Sequence, residues 1–148
     1  PYMGKDSIEP FMQDKRKGVF VLCRTSNISA SYIQGSVSDD DSLIKKVVML
    51  TKDLNRNSNI GLVVGATAIN ELRIIRNLAP DLPMLIPGVG AQGGDLKESV
   101  MIGNKLSPAL VNVSRDISYS GKMDSDSIYK SAKNYFTLIS RYLNDREK

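Results

Sequence analysis

Four runs of consecutive apolar residues punctuate the chain: GVFVLC from Gly18, IGLVVGA from Ile60, PMLIP from Pro83 and ALVNV from Ala109. Each is apolar at successive positions rather than alternate ones. That is the pattern of a strand covered on both faces, as in a parallel sheet flanked by helices. Between the runs the apolar spacing changes to that of a helix. Leu43, Ile44, Val47, Val48, Leu50 and Leu54 form one stripe, with Asp41 or Ser42 placed to cap its start. Ile69, Leu72, Ile75 and Leu78 form a second, closed by Pro80. A third helix is expected to start near Asp95. A fourth, from about Asp126, carries Ile128, Ala132, Tyr135, Ile139 and Tyr142 or Leu143 on one face. At the other end, Asp6 or Ser7 is placed to cap a short helix bearing Ile8, Phe11 and Met12, with Pro10 in its first turn.

The predicted order is a helix followed by four strand-helix units, an alternation that requires crossover connections and a parallel α/β sheet. Two architectures satisfy it: an open doubly wound sheet, or part of a (β/α)8 TIM barrel. A complete barrel typically takes about 250 residues, so four strands correspond to half of one. The opening PYMGKDS, starting at Pro1 without an initiator methionine, reads as a strand-to-helix loop. The chain is therefore expected to be a fragment.

Composition narrows the chemistry. With 148 residues, 41% hydrophobic and 24% charged, residues 1–148 are expected to form one globular, partial-barrel domain. The apolar runs fall far short of the roughly 20 residues that a membrane-spanning helix needs, so no membrane partner is expected. The net charge of +4 comes from interspersed rather than clustered residues, which gives no indication of nucleic acid. The single cysteine, Cys23, sits inside an apolar run as a small buried hydrophobe, and a reducing, cytoplasmic setting is expected. With no histidine, the usual zinc sites and the Ser-His and Cys-His nucleophile pairs are excluded. The run Asp39, Asp40 and Asp41 lacks the spacing of a calcium loop and reads as a solvated helix start. Tyr135, Phe136 and Tyr142, at helical spacing, read as core packing rather than a base-stacking platform.

Two neighbouring loops carry the functional signal. PGVGAQGGD, from Pro87 to Asp95, follows a strand and opens a helix, an arrangement whose free amides and helix dipole favour a phosphate. It is neither a Walker loop nor a dinucleotide fingerprint, and alone it equally describes a flexible turn. In the next unit, ALVNV runs into Ser114, Arg115 and Asp116. An arginine at the C-terminal end of a barrel strand supplies the bidentate contact that a phosphate dianion accepts. The bland alternative is a surface salt bridge between Arg115 and Asp116 or a neighbour. Asn112, in a strand otherwise apolar, either hydrogen-bonds in a barrel interior or lies one residue off its assigned face.

LIPGVGAQGGDL and VNVSRDIS, together with PYMGKDSIEPF and VFVLCRTSN, resemble the orotidine 5'-monophosphate decarboxylases, most of all their longer subclass. The resemblance runs over nearly the whole chain and corresponds to the C-terminal half of the barrel. It implies conversion of orotidine 5'-monophosphate to uridine 5'-monophosphate (UMP) in pyrimidine synthesis, with no metal or cofactor. It further implies that Arg115 grips the phosphate and Gln92 bridges phosphate and pyrimidine on a closing loop. Thr25 and Ser26 would meet the edge of the base, and Pro87 would pack near the ring. Gly90 to Gly94, Gly93 among them, would let the loop close, and the backbone of Ser114 would reach the phosphate although other branches carry glycine there. The intact protein is implied to be a homodimer.

One departure matters. The family's Lys and Asp array, a DxKxxD motif, has no counterpart here; Asp14 and Lys15 are adjacent, on a predicted helix, and Lys5 and Asp6 belong to another loop. No catalytic residue is expected in this chain, and alone it is expected to be inactive. Two other readings remain open: a non-catalytic module for phosphorylated nucleotides, and a related barrel acting on sugar phosphates with a metal ion. Uncovered sheet edges and interior apolar residues further predict association of the isolated chain.

Overall fold

The computed structural model describes residues 1–35 and 42–145. Four strands, β1 (Val19–Arg24), β2 (Ile60–Val64), β3 (Met84–Pro87) and β4 (Ala109–Asn112), fall on the four apolar runs. They pair in parallel in the order β1-β2-β3-β4. A doubly wound sheet reverses strand order at a switch point; a monotonic order is the barrel arrangement, so the second of the two architectures is the one observed.

Each connection contributes a helix. Helices α1 (Glu9–Met12) and α2 (Ser31–Gln34) are single turns, and α3 (Leu43–Leu54), α4 (Ile69–Leu78) and α5 (Leu96–Gly103) cover the sheet. A four-residue turn, α6 (Arg115–Ser118), then leads into the long α7 (Ser125–Asp145). The helix starts have readable causes. Ser42 Oγ accepts from the Lys45 N–H at 3.3 Å, and the Asp95 carboxylate accepts from the Glu98 N–H at 2.9 Å. The expected cap on α1 is not formed: the Ser7 hydroxyl donates to the Gly4 carbonyl at 2.6 Å, and Ile8 stands at the cap position. The helix ends at Met12, so Asp14 and Lys15 lie beyond it, and Asp14 pairs with Arg16 at 2.9 Å. Asp39 to Asp41 lie outside the described residues.

The core forms between one sheet face and the helices. Ile44, Val48, Leu62, Leu72, Ile75, Met84 and Ile86 are completely buried, and each such side chain is worth about 1.5–3 kcal/mol. The expectation of strands covered on both faces holds on that side only. The register aligns Leu22, Val63, Leu85 and Leu110 in one row across the opposite face, where Leu22 is 47% and Leu110 60% exposed. Same-handed crossovers in sequential order put every helix on one side, which is why the row is open. Phe136 is also a correction, since it is 71% exposed. One residue along a helix turns the side chain by about 100°, and Tyr135 faces the core while Phe136 faces solvent.

Candidate functional site

The glycine-rich loop is folded on itself. The Gly94 N–H donates to the Gly88 carbonyl at 3.0 Å and the Gly93 N–H to that of Gly90 at 2.6 Å. Asp95 places its own carboxylate at the start of α5. These contacts take up the amides of Gly93 and Gly94 inside the loop, and the positive end of α5 has a negative charge in Asp95. The glycines also serve shape. Gly90 has φ +80°, and a Cβ there would run into the Asp116 carboxylate and lie 3.0 Å from the Tyr135 hydroxyl.

The loop is tied to β1. Ser26 Oγ donates to Gln92 Oε1 at 2.9 Å, across 66 residues of sequence. A Cβ on Gly88, which has φ +99°, would come within 2.8 Å of the same Gln92 oxygen, so only glycine lets this bond form as it does. Thr25 has a partner the sequence did not announce. Gln34 on α2 accepts from the Thr25 N–H at 3.1 Å and donates to Thr25 Oγ1 at 2.9 Å. The Thr25 hydroxyl hydrogen is left as the donor it can offer outward. Arg24 completes the brace, donating to Gln34 Oε1 at 3.2 Å and to the Thr25 carbonyl at 3.0 Å. A register shift between Leu22 and Arg24 turns Arg24 to the helix side of the sheet, with Nε 3.5 Å from Glu71 on α4.

Arg115 opens α6, after Val113 and Ser114 have left the end of β4. Among the described residues it takes part in no ion pair and no side-chain hydrogen bond, so the salt-bridge alternative is not realised. Its neighbour Asp116 accepts from the Tyr135 hydroxyl at 2.9 Å instead. The free guanidinium lines a cleft of about 200 Å³ together with Ser114, Asn112, Pro87 and Gln92. Asn112 belongs to β4, pairs with Pro87 and lies on the open face, which settles its assignment. Ala91 and Arg115 also line an adjoining, more open depression with Asp116, Tyr119 and Tyr135.

Of the residues singled out, the cleft gathers Pro87, Gln92, Ser114 and Arg115, and Ser26 joins it through Gln92. Thr25 stands beside it, held by Gln34, whereas Gly90 contacts Asp116 and Gly93 closes the loop away from it. Gln34 and the pair Asp116 and Tyr135 were missed. Glutamine in a short polar turn carries no periodic signal. No cluster of three or more potential metal ligands occurs among the described residues. Cys23 is buried, and burial pushes its thiol up to about 12.

Comparison with known proteins gives these features a context. Residues 1–126 match the family model described as Orotidine 5'-phosphate decarboxylase / HUMPS family. An orotidine 5'-phosphate decarboxylase of Halorubrum lacusprofundi is 46% identical over 132 residues, covering 84% of this chain and 48% of that protein. One from Janthinobacterium sp. is 42% identical over 144 residues, covering 95% of this chain and 52% of that protein. The structure of Leishmania donovani OMP decarboxylase superposes with a TM-score of 0.82 at 37% identity, covering 96% of this chain and 54% of that one. The chain spans about half the length of the curated relatives it matches. Its fold is the corresponding stretch of a (β/α)8 barrel.

Proposed function

The chain belongs to the orotidine 5'-phosphate decarboxylase / HUMPS family, and on that premise we propose that it supplies the phosphate and pyrimidine loops of an orotidine 5'-monophosphate decarboxylase. In this reading it forms the C-terminal half of the barrel, in a cytoplasmic protein that works as a homodimer. The observation that carries the reading is the unpaired Arg115, which faces one cleft with Gln92 while Gln92 is bonded to Ser26.

The chemistry explains why such a grip matters. Loss of CO2 leaves the bonding electron pair on the pyrimidine ring as a poorly stabilised carbanion, which then takes up a proton. The barrier is met by preorganised charges around the ring and by binding energy drawn from the remote phosphate. Arg115 provides the charge-assisted contact to the phosphate dianion. Gln92 reaches from the phosphate side toward Ser26, so closure of the loop couples phosphate capture to placement of the base. The carboxylates and lysine for the ring and the proton come from outside these 148 residues, because no DxKxxD array is present.

The test is turnover in the full-length protein that carries this chain, followed as conversion of orotidine 5'-monophosphate to UMP. Turnover that requires no added metal, with Arg115→Ala lowering kcat/KM on the order of 10²-fold, supports the reading; this is about 3 kcal/mol for a charge-assisted contact. Full activity of Arg115→Ala would remove it.

A further inference from the structure

The C-terminal helix makes two contacts with the arginine turn that a packing role does not require. Ser131 Oγ donates to the Asp116 main-chain carbonyl at 2.9 Å, and Tyr135 Oη donates to Asp116 Oδ2 at 2.9 Å. The two hydroxyls are four residues apart and so lie on one face of α7. Asp116 is thereby fixed at both its backbone and its side chain. Its carboxylate sits against Gly90, where any Cβ would collide with it. Arg115 lines both the cleft it shares with Gln92 and an adjoining open depression, whereas Asp116 lines only the second, with Tyr119, Ser131 and Tyr135. An aspartate next in sequence to a phosphate-gripping arginine is a hazard: it can neutralise the guanidinium and repel the dianion. Here it forms no ion pair with Arg115, and its carboxylate accepts from a phenol instead.

We infer that Tyr135 is a positioning residue: by holding the Asp116 carboxylate against α7 and the Gly90 turn, it keeps Arg115 open to the phosphate of the nucleotide. Tyr135 lies beyond residues 1–126, the stretch matched by the family model. Partial burial and the hydrogen bond to Asp116 hold its phenol above the usual tyrosine range, so it remains a donor at neutral pH. The inference rests on the phosphate reading of Arg115. The experiment therefore begins with the full-length protein that carries this chain, titrated with UMP and with uridine. If that protein shows no preference for UMP, the phosphate reading has failed and this inference falls with it.

Given that preference, Tyr135→Phe is expected to weaken UMP binding about tenfold while leaving uridine binding and the circular dichroism spectrum unchanged. The decisive variant is Tyr135→Phe with Asp116→Asn. Removing the competing charge restores UMP affinity to within about threefold of the unmodified protein if Tyr135 acts by restraining that charge. UMP binding by Tyr135→Phe equal to that of the unmodified protein overturns the inference. So does a double variant that stays as weak as the single one, since that result assigns Tyr135 to packing alone. Should Tyr135→Phe fail to fold, Asp116→Asn by itself decides: UMP affinity within about threefold of the unmodified protein supports the inference, because a restrained charge does not compete, and a larger change in either direction overturns it.

Discussion

Arg76 offers a test of how this half-barrel is held together away from the site. It lies on α4 and is completely buried, yet no carboxylate pairs with it among the described residues. Its guanidinium instead gathers backbone carbonyls. Nη1 donates to Leu82 at 2.7 Å and Nη2 to Gly103 at 2.6 Å, with longer bonds to Ala79 at 3.3 Å, Pro80 at 3.4 Å and Ser107 at 3.3 Å. These acceptors come from the connection between α4 and β3 and from the end of α5 through to β4. One side chain therefore closes two crossovers, and Nε is left without a partner. Burial pulls the guanidinium down to about 10, so it stays charged at neutral pH. Replacing it by Met keeps the volume and strands the carbonyls. The two short bonds leave buried acceptors worth about 1–3 kcal/mol each and the longer ones add less, so Arg76→Met is expected to cost about 3–5 kcal/mol. Arg76→Lys, with a single ammonium in place of a planar fork, is expected to cost about half of that. Urea unfolding followed by circular dichroism reads both. A loss below about 1 kcal/mol for Arg76→Met at unchanged slope would refute the assignment of Arg76 as the link between these turns.

Two further predictions follow from the loop and the core. Gly90→Ala forces a Cβ into the Asp116 carboxylate at a φ of +80°, so it is expected to cost about 2 kcal/mol and lower Tm by about 4–8 °C. Calorimetry checks it, and an unchanged Tm would mean that the loop and the arginine turn do not meet as described. The Cys23 thiol, raised to about 12 from an ordinary 9.0, is expected to resist alkylation at pH 8 until the chain unfolds. Because the folded state keeps this proton longer, its contribution to stability is complete below pH 9 and is lost as pH rises from about 9 toward 12. Rapid modification of the native protein at pH 8 would contradict the burial.

Much of this molecule was legible because its devices are local. Unbroken apolar runs gave the four strands, an apolar stripe starting at the Ser42 cap gave α3, and Asp95 marked the start of α5. The alternation alone did not decide the barrel, since it also fits a doubly wound sheet; the resemblance carried by the loop motifs pointed to half a barrel, and the strand order agrees. Arg76 shows a second limit. A charged residue in an amphipathic helix reads as surface, and the carbonyls that solvate it come from turns far along the chain. The loop shows a third. Glycine spacing announced a tight turn beside a phosphate, but not that Gly93 and Gly94 spend their amides on the loop itself. That fact leaves Arg115, which makes no ion pair among the described residues, as the free cation beside the loop. The restraint of Asp116 by Tyr135 joins residues 19 apart through a tertiary contact that no periodicity encodes.

The central claim is that Arg115 and Gln92 grip a phosphate. The most direct measurement is calorimetric binding of UMP against uridine to the full-length protein that carries this chain and to its Arg115→Ala, Gln92→Ala variant. The account predicts a preference for UMP of at least about 30-fold that collapses in the variant, as expected for loss of a charge-assisted pair worth about 2–3 kcal/mol. Equal binding of UMP and uridine by the folded full-length protein, or a UMP preference that survives both substitutions, would contradict it.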